Sequence, residues 1–118
     1  AVLLIGHDMG LIAQTVDRIG VMYAGCLVEI GPTSEILRDP LHPYTQALIA
    51  SLPSLDAREE LRGIPGLPPS LLRPPPGCAF HPRCPVAVRR CQSERPLLRE
   101  VCPGRWVACH LVMDGGFV

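Results

Sequence analysis

The chain has 118 residues, 47% of them hydrophobic, enough for one modest domain or two small pieces and too apolar for a disordered segment. Eleven basic and eleven acidic residues cancel, and no basic stripe interleaved with aromatics appears, which argues against a nucleic-acid partner. No apolar run reaches spanning length and no signal peptide opens the chain, so direct membrane insertion is not expected and a cytosolic compartment is.

All basic residues are arginine. The absence of lysine excludes a P-loop lysine, a Schiff-base lysine and a Ser–Lys dyad within these residues. Ala1 to Ile5 (AVLLI) is a continuous apolar run of the kind that forms a strand covered on both faces of a parallel sheet. It ends at Gly6-His7-Asp8, a place where open α/β sheets put their ligands. Asp8 is suited to cap a helix from about Met9 to Asp17, with Ile12, Val16 and Ile19 along one face. Arg18 to Tyr23 and Cys26 to Ile30 read as a hairpin around Ala24-Gly25. Gly31-Pro32 breaks the second strand, Thr33 or Ser34 caps a short helix through Leu37, and Asp39-Pro40 ends it. His42-Pro43 opens another helix, with Tyr44, Ala47, Leu48 and Leu52 on one face, and Pro53 stops it. The chain begins without methionine in a buried-type strand, from which it is expected to be a fragment whose N-terminal neighbours lie upstream.

Beyond Ser54 the texture changes. Eleven of the fourteen prolines lie from Pro53 to Pro103, so this half is expected to be extended and turn-rich. Asp56 with Glu59 is suited to cap a short helix ending near Arg62, and Met113 to Val118 read as a loose end. The division expected is 1–53 and 54–118.

Five of the six cysteines fall between Pro74 and His110: Cys78, Cys84, Cys91, Cys102 and Cys109. A segment with so little periodicity needs a staple, and in a reducing cytosol clustered thiols are more often metal ligands than disulfides. Five, six and seventeen residues separate Cys78, Cys84, Cys91 and Cys109 in turn, none of them the CxxC knuckle of a zinc ribbon. Wide gaps can wrap a larger object such as an iron–sulfur cubane, but spacing leaves iron, zinc and unmetallated thiols open. Arg83, Arg89 and Arg90 are placed to offset thiolate charge. Cys102 reads as an exposed non-ligand, with substitution for Cys109 as the alternative, and Cys26 as a small core residue. His81 and His110 flank cluster cysteines and are expected to hydrogen-bond locally, with membership of a mixed Cys/His site as the alternative. Phe80 and Trp106 are expected to pack a small tail core.

These residues carry a pattern. LLIGHDMGLIA followed by DRIGVMYAGCLVEIGP resembles the end of the nucleotide-binding domain of an ABC transporter. DPLHPYTQALIASLP, IPGLPPSLL and GCAFHPRCP…C…VACHL are narrower, and together they resemble the ATP-binding subunits of bacterial oligopeptide/dipeptide (and related nickel) importers with their C-terminal extension. The resemblance covers about Val2 to Leu111. It implies an α/β fold: the end of an ABC-type nucleotide-binding domain (strand, helix, β-hairpin, short helices), then a proline-rich, metal-stapled irregular extension. His7 matches the switch-loop histidine that contacts the ATP γ-phosphate and helps position water. Asp8 matches its usual neighbour, while Gly6 departs from the usual Thr or Ser. Cys78, Cys84, Cys91 and Cys109 match the extension cysteines, implying a [4Fe–4S] cluster with zinc as the alternative. Walker A, signature and Walker B motifs have no counterpart here. The implied parent is an ATPase using ATP with Mg2+, paired with a second ATP-binding subunit and membrane permease subunits, at the cytoplasmic face of the bacterial inner membrane. The fragment alone is expected to be inactive. The rival reading is a stand-alone zinc- or Fe–S-stapled interaction module without ATPase role.

Overall fold

The computed structural model describes residues 1–52 and 63–113. The expected helix around Asp56 to Arg62 and most of the expected loose end lie outside the described residues. Ala1–Ile5 does not form the expected strand: Val2, Leu3 and Ile5 are almost fully exposed. An all-apolar strand needs hydrogen-bonded neighbours and cover on both faces, and no described strand pairs with this run.

Helix α1 spans Met9–Ala13, with the Asp8 carboxylate accepting from the Leu11 N–H at 3.1 Å, as its sequence position suggested. It stops four residues short of expectation. Thr15 Oγ1 donates to the Ile12 carbonyl at 3.0 Å, and the Gln14 and Thr15 amides reach back only three residues. A hydroxyl that competes for backbone carbonyls, beside β-branched Val16, closes the helix with a tight turn.

Strands β1 (Arg18–Tyr23) and β2 (Cys26–Pro32) form the expected hairpin. Ile19, Val21 and Tyr23 alternate inward with period two. The two-residue turn places Ala24 at φ 51° and Gly25 at φ 78°, both left-handed, as a turn matched to strand twist requires. Strand β2 runs through Gly31 and Pro32, which pair with Ile19 and Arg18, instead of breaking at Ile30. Helix α2 (Thr33–Arg38) follows without the expected side-chain cap. Thr33 Oγ1 donates instead to the Val16 carbonyl at 2.8 Å, tying the start of α2 to the approach to β1. Helix α3 (Pro43–Ala50) begins at His42, and Tyr44, Leu48 and Leu52 pack on the hairpin core.

The proline-rich half contributes two strands that its short runs did not announce, β3 (Arg99–Cys102) and β4 (Arg105–Val107). They turn at Pro103-Gly104, with Gly104 at φ 79°. Strand β4 pairs with β2 (Glu29↔Val107, Ile30↔Trp106), giving one antiparallel four-stranded sheet of order β1-β2-β4-β3. The molecule is therefore a small α/β fold whose sheet draws strands from both halves of the chain.

Phe80 does not pack a separate tail core. It is 1% exposed and sits in the hairpin core, with its ring centroid 5.2 Å from Tyr23 and 5.4 Å from Tyr44. Burying one aromatic ring contributes about 2 kcal/mol, and edge-to-face pairs add roughly 1 kcal/mol. Trp106, 37% exposed, stays at the surface. Leu41, Val107, Cys109 and Val112 form a second cluster, with Val101 and Leu111 packed against it.

Candidate functional site

The loops between Gly77 and Leu111 bring Cys78, Cys84, Cys91 and Cys109 to the wall of one pocket. Gly77 makes the first approach possible. Its φ is +69°, and a Cβ there would lie 2.4 Å from the Cys91 carbonyl oxygen. Only glycine admits both the conformation and the contact. The Cys78 amide then donates to that same carbonyl at 2.8 Å. One 3-10 turn, His81–Arg83, delivers Cys84; another, Arg89–Gln92, presents Cys91. Cys109 leaves β4 after the Ala108 amide donates to the Val28 carbonyl at 2.9 Å, and helix α4 (His110–Met113) starts directly after it.

Backbone amides face three of the sulfurs: Phe80 at Cys78, Val86 at Cys84, and Leu111 and Val112 at Cys109. Burial pushes these three thiols up, and the amide hydrogen bonds pull them back down. Charge on neighbouring cysteines pushes them up again. The net direction at Cys78, Cys84 and Cys109 is upward, so burial outweighs the amides and favours the neutral thiol. Among the described residues no group of three or more His, Cys, Asp or Glu is placed to hold a metal ion as the side chains stand. The four cysteines therefore share a pocket wall, but their side chains as they stand do not form a metal-holding set.

Cys102 is exposed on β3 and Cys26 half-buried at the start of β2, where its sulfur receives Arg95 Nη2 at 2.6 Å. Two of the arginines expected to offset thiolate charge are engaged elsewhere. Arg83 donates to the Pro65 and Ile64 carbonyls and the Tyr23 hydroxyl at 3.0–3.2 Å. Arg90 pairs with Glu94 at 2.8 Å on the surface.

His42 is the bridge between α3 and the cysteines. Its Nδ1 accepts from the Tyr44 amide at 3.0 Å, capping α3. Nδ1 as acceptor leaves the proton on Nε2, and the ring's other bond is to the backbone of Ala108, the residue before Cys109. The ring is 1% exposed, and burial pushes its pKa down to about 4. Sequence reading took His42 as a helix start, with contact to a partner subunit as the weaker reading, and did not foresee this bridge to Ala108.

Sequence reading also missed Glu29 and Arg105, 76 residues apart and both buried. Arg105 Nη2 lies 3.2 Å from Glu29 Oε1 and donates to the Asp39 carbonyl at 2.8 Å. Glu29 also accepts from the Leu41 amide at 2.6 Å. Burial pushes Glu29 up, against the amides and Arg105 that pull it down. A glutamate in an apolar strand is the one trace of this clamp in the sequence; nothing local names its partner. His7 is exposed in the segment before α1, near the cap residue Asp8 and apart from the cysteine pocket. No described helix is long and apolar enough to cross a membrane.

A family model described as oligopeptide/dipeptide transporter, C-terminal region, matches residues 28–91. The dipeptide transport ATP-binding protein DppD of Escherichia coli (strain K12) is 44% identical over 115 residues, covering 97% of this chain and 35% of that protein. The oligopeptide transport ATP-binding protein OppD of the same organism is 46% identical over 110 residues, covering 92% of this chain and 32% of that protein. DppD of Caldanaerobacter subterraneus is 43% identical over 114 residues, covering 96% and 35%. The chain spans about a third of the length of the curated relatives it matches. From β2 through the third cysteine of the pocket, and with such relatives along nearly its whole length, the chain belongs to the oligopeptide/dipeptide transporter C-terminal region family.

Proposed function

We propose that these residues are part of the ATP-binding subunit of a bacterial ABC importer that couples ATP hydrolysis to uptake of oligopeptides or dipeptides. The observation that carries this is the similarity of 43–46% to peptide transport ATP-binding proteins over more than nine-tenths of the chain. In this reading residues 1–53 close the nucleotide-binding domain and residues 54–118 form the extension. The subunit works at the cytoplasmic face of the inner membrane, with a second ATP-binding subunit and membrane permeases. ATP with Mg2+ is bound by a P-loop that these lysine-free residues do not contain, so the 118 residues alone do not hydrolyse ATP. His7 reaches the γ-phosphate and orders the attacking water: a neutral imidazole can accept from water with one nitrogen and donate to a phosphate oxygen with the other. Its exposed position leaves the ring open to such a contact.

Cys78, Cys84, Cys91 and Cys109 hold a metal centre, a [4Fe–4S] cluster in the first instance and zinc in the second. Such a centre would supply a cross-link among four loop segments. The chain's own part is to gather the thiols, meet them with backbone amides and shield them under Phe80 and the α3 start.

Two measurements test this. His7→Ala in the full-length subunit should abolish most ATP turnover while ATP binding persists; unchanged turnover removes the assignment of His7. Metal and sulfide analysis of anaerobically purified protein should give iron and sulfide near four each per chain, as a cubane requires. One zinc without colour keeps the four-cysteine site and rejects the cluster, and no metal rejects both.

A further inference from the structure

The Gly77-Cys78 backbone runs directly against Cys91 to Ser93. The Cys78 amide donates to the Cys91 carbonyl at 2.8 Å. A Cβ on Gly77 would lie 2.4 Å from that carbonyl oxygen and 2.9 Å from the Ser93 amide nitrogen. An amide-to-carbonyl bond of this kind holds the two Cα atoms roughly 5–6 Å apart. A disulfide spans about 4.4–6.8 Å between its Cα atoms. Both side chains line one pocket, so they converge. Of the three other pocket cysteines, Cys91 is the strongest electrostatic neighbour of Cys78. The two sulfurs can therefore be joined without moving either backbone segment.

The other pocket cysteines lack this tie. The Cys84 amide donates to the His81 carbonyl and its own carbonyl accepts from Ala87, so both bonds stay within its loop. Cys109 is anchored through Ala108, whose amide donates to the Val28 carbonyl. Among the described residues, the Cys78–Cys91 contact is the one backbone hydrogen bond between two cysteines. The pair also differs in access. Cys78 is half-buried, whereas Cys91 is 7% exposed. A reagent arriving from solvent meets Cys78 first, with Cys91 behind it.

We propose that Cys78 and Cys91 form a thiol–disulfide exchange site, at which a small disulfide reacts with Cys78 and Cys91 then closes an intramolecular bridge. In the first step Cys78 Sγ attacks one sulfur of the small disulfide. A mixed S–S bond forms, the original one breaks, and one small thiol leaves with the proton that Cys78 gives up. In the second step Cys91 Sγ attacks the sulfur of Cys78, and the second small thiol leaves with the Cys91 proton. Two cysteine thiols are oxidised to one disulfide, and one small disulfide is reduced to two thiols. The proposal concerns the metal-free chain and does not depend on the reading of the cysteines as ligands.

The test treats the folded, reduced, metal-free full chain with glutathione disulfide as the sole oxidant, under anaerobic conditions. Remaining thiols are then blocked and linked peptides are mapped by mass spectrometry. The expected result is one dominant Cys78–Cys91 link, with Cys84 and Cys109 still reduced. The same treatment in urea is the control. An unfolded chain closes its shorter loops more readily, and Cys78–Cys84, Cys84–Cys91 and Cys102–Cys109 are all closer in sequence than Cys78–Cys91. The Cys78–Cys91 link should therefore lose its dominance in urea. In Cys78→Ser, Cys91 should stay reduced, because it is reached through Cys78. Absence of the link in the folded chain, or a mixture like that in urea, overturns the proposal. It is overturned equally if Cys91 is oxidised as readily in Cys78→Ser as in the unaltered chain.

Discussion

Replacing His42 with alanine should cost far more than the loss of a surface helix cap. The ring is 1% exposed, caps α3 through Nδ1 at 3.0 Å from the Tyr44 amide, and bonds the backbone of Ala108. Loss of a cap costs about 1 kcal/mol. An Ala108 carbonyl left buried without its donor costs roughly 1–3 kcal/mol. Removing a buried ring adds a cavity cost of about 1–2 kcal/mol where neighbours relax only partly. Together these give about 3–6 kcal/mol, read as a shift of the urea midpoint at constant slope. The pH dependence supplies a second arm. The folded-state pKa is about 4, against a usual value of 6.5. The unfolded chain therefore binds the proton first as pH falls. Stability from the neutral ring is whole above the unfolded pKa, declines below it, and is spent near the folded value. At about 1.4 kcal/mol per unit, that window holds roughly 3 kcal/mol. Comparing wild type with His42→Ala, in the same metal state, cancels titration elsewhere, including that of Glu29. A variant loss below about 1 kcal/mol, or stability–pH curves that run parallel from 6.5 down to about 4, would refute the bridging role of His42.

Arg105→Ala should destabilise by about 3–5 kcal/mol because Glu29 is left charged and buried, whereas Glu29→Gln with Arg105→Met should recover much of it; thermal midpoints of the single and double variants decide. Gly77→Ala forces a Cβ to 2.4 Å from the Cys91 carbonyl at φ +69°, so bound metal per chain should fall sharply, and full metal content would refute the close approach. Cys91→Ser, at a buried pocket position, should abolish metal binding, whereas Cys102→Ser, exposed on β3, should leave metal content unchanged; equal effects in metal analysis would remove the distinction between them.

What could be read from the sequence was local. The Ala24-Gly25 hairpin announces itself through alternating burial and a two-residue turn, and Asp8 through its place before a helix. The Pro103-Gly104 turn was not read from the sequence, and the strands it joins, of four and three residues, are too short for periodicity to name. The family resemblance, not spacing, singled out Cys78, Cys84, Cys91 and Cys109, and the four line one pocket whose wall does not include Cys102. Ala1–Ile5 shows the opposite case, a strand-like composition with no described partner to pair with.

The sequence by itself determined the hairpin and the starts of α1 and α3, because turns and caps act over a few residues. Tertiary structure alone decided that β4 joins β2, that Phe80 enters the hairpin core and that Arg105 clamps Glu29 across 76 residues. It also left His110 Nδ1 buried and idle beside four thiols. The physical reason is that such contacts depend on which surfaces remain to be covered and which buried polar atoms remain to be satisfied once the chain has closed on itself, and neither is written in the periodicity of any one segment.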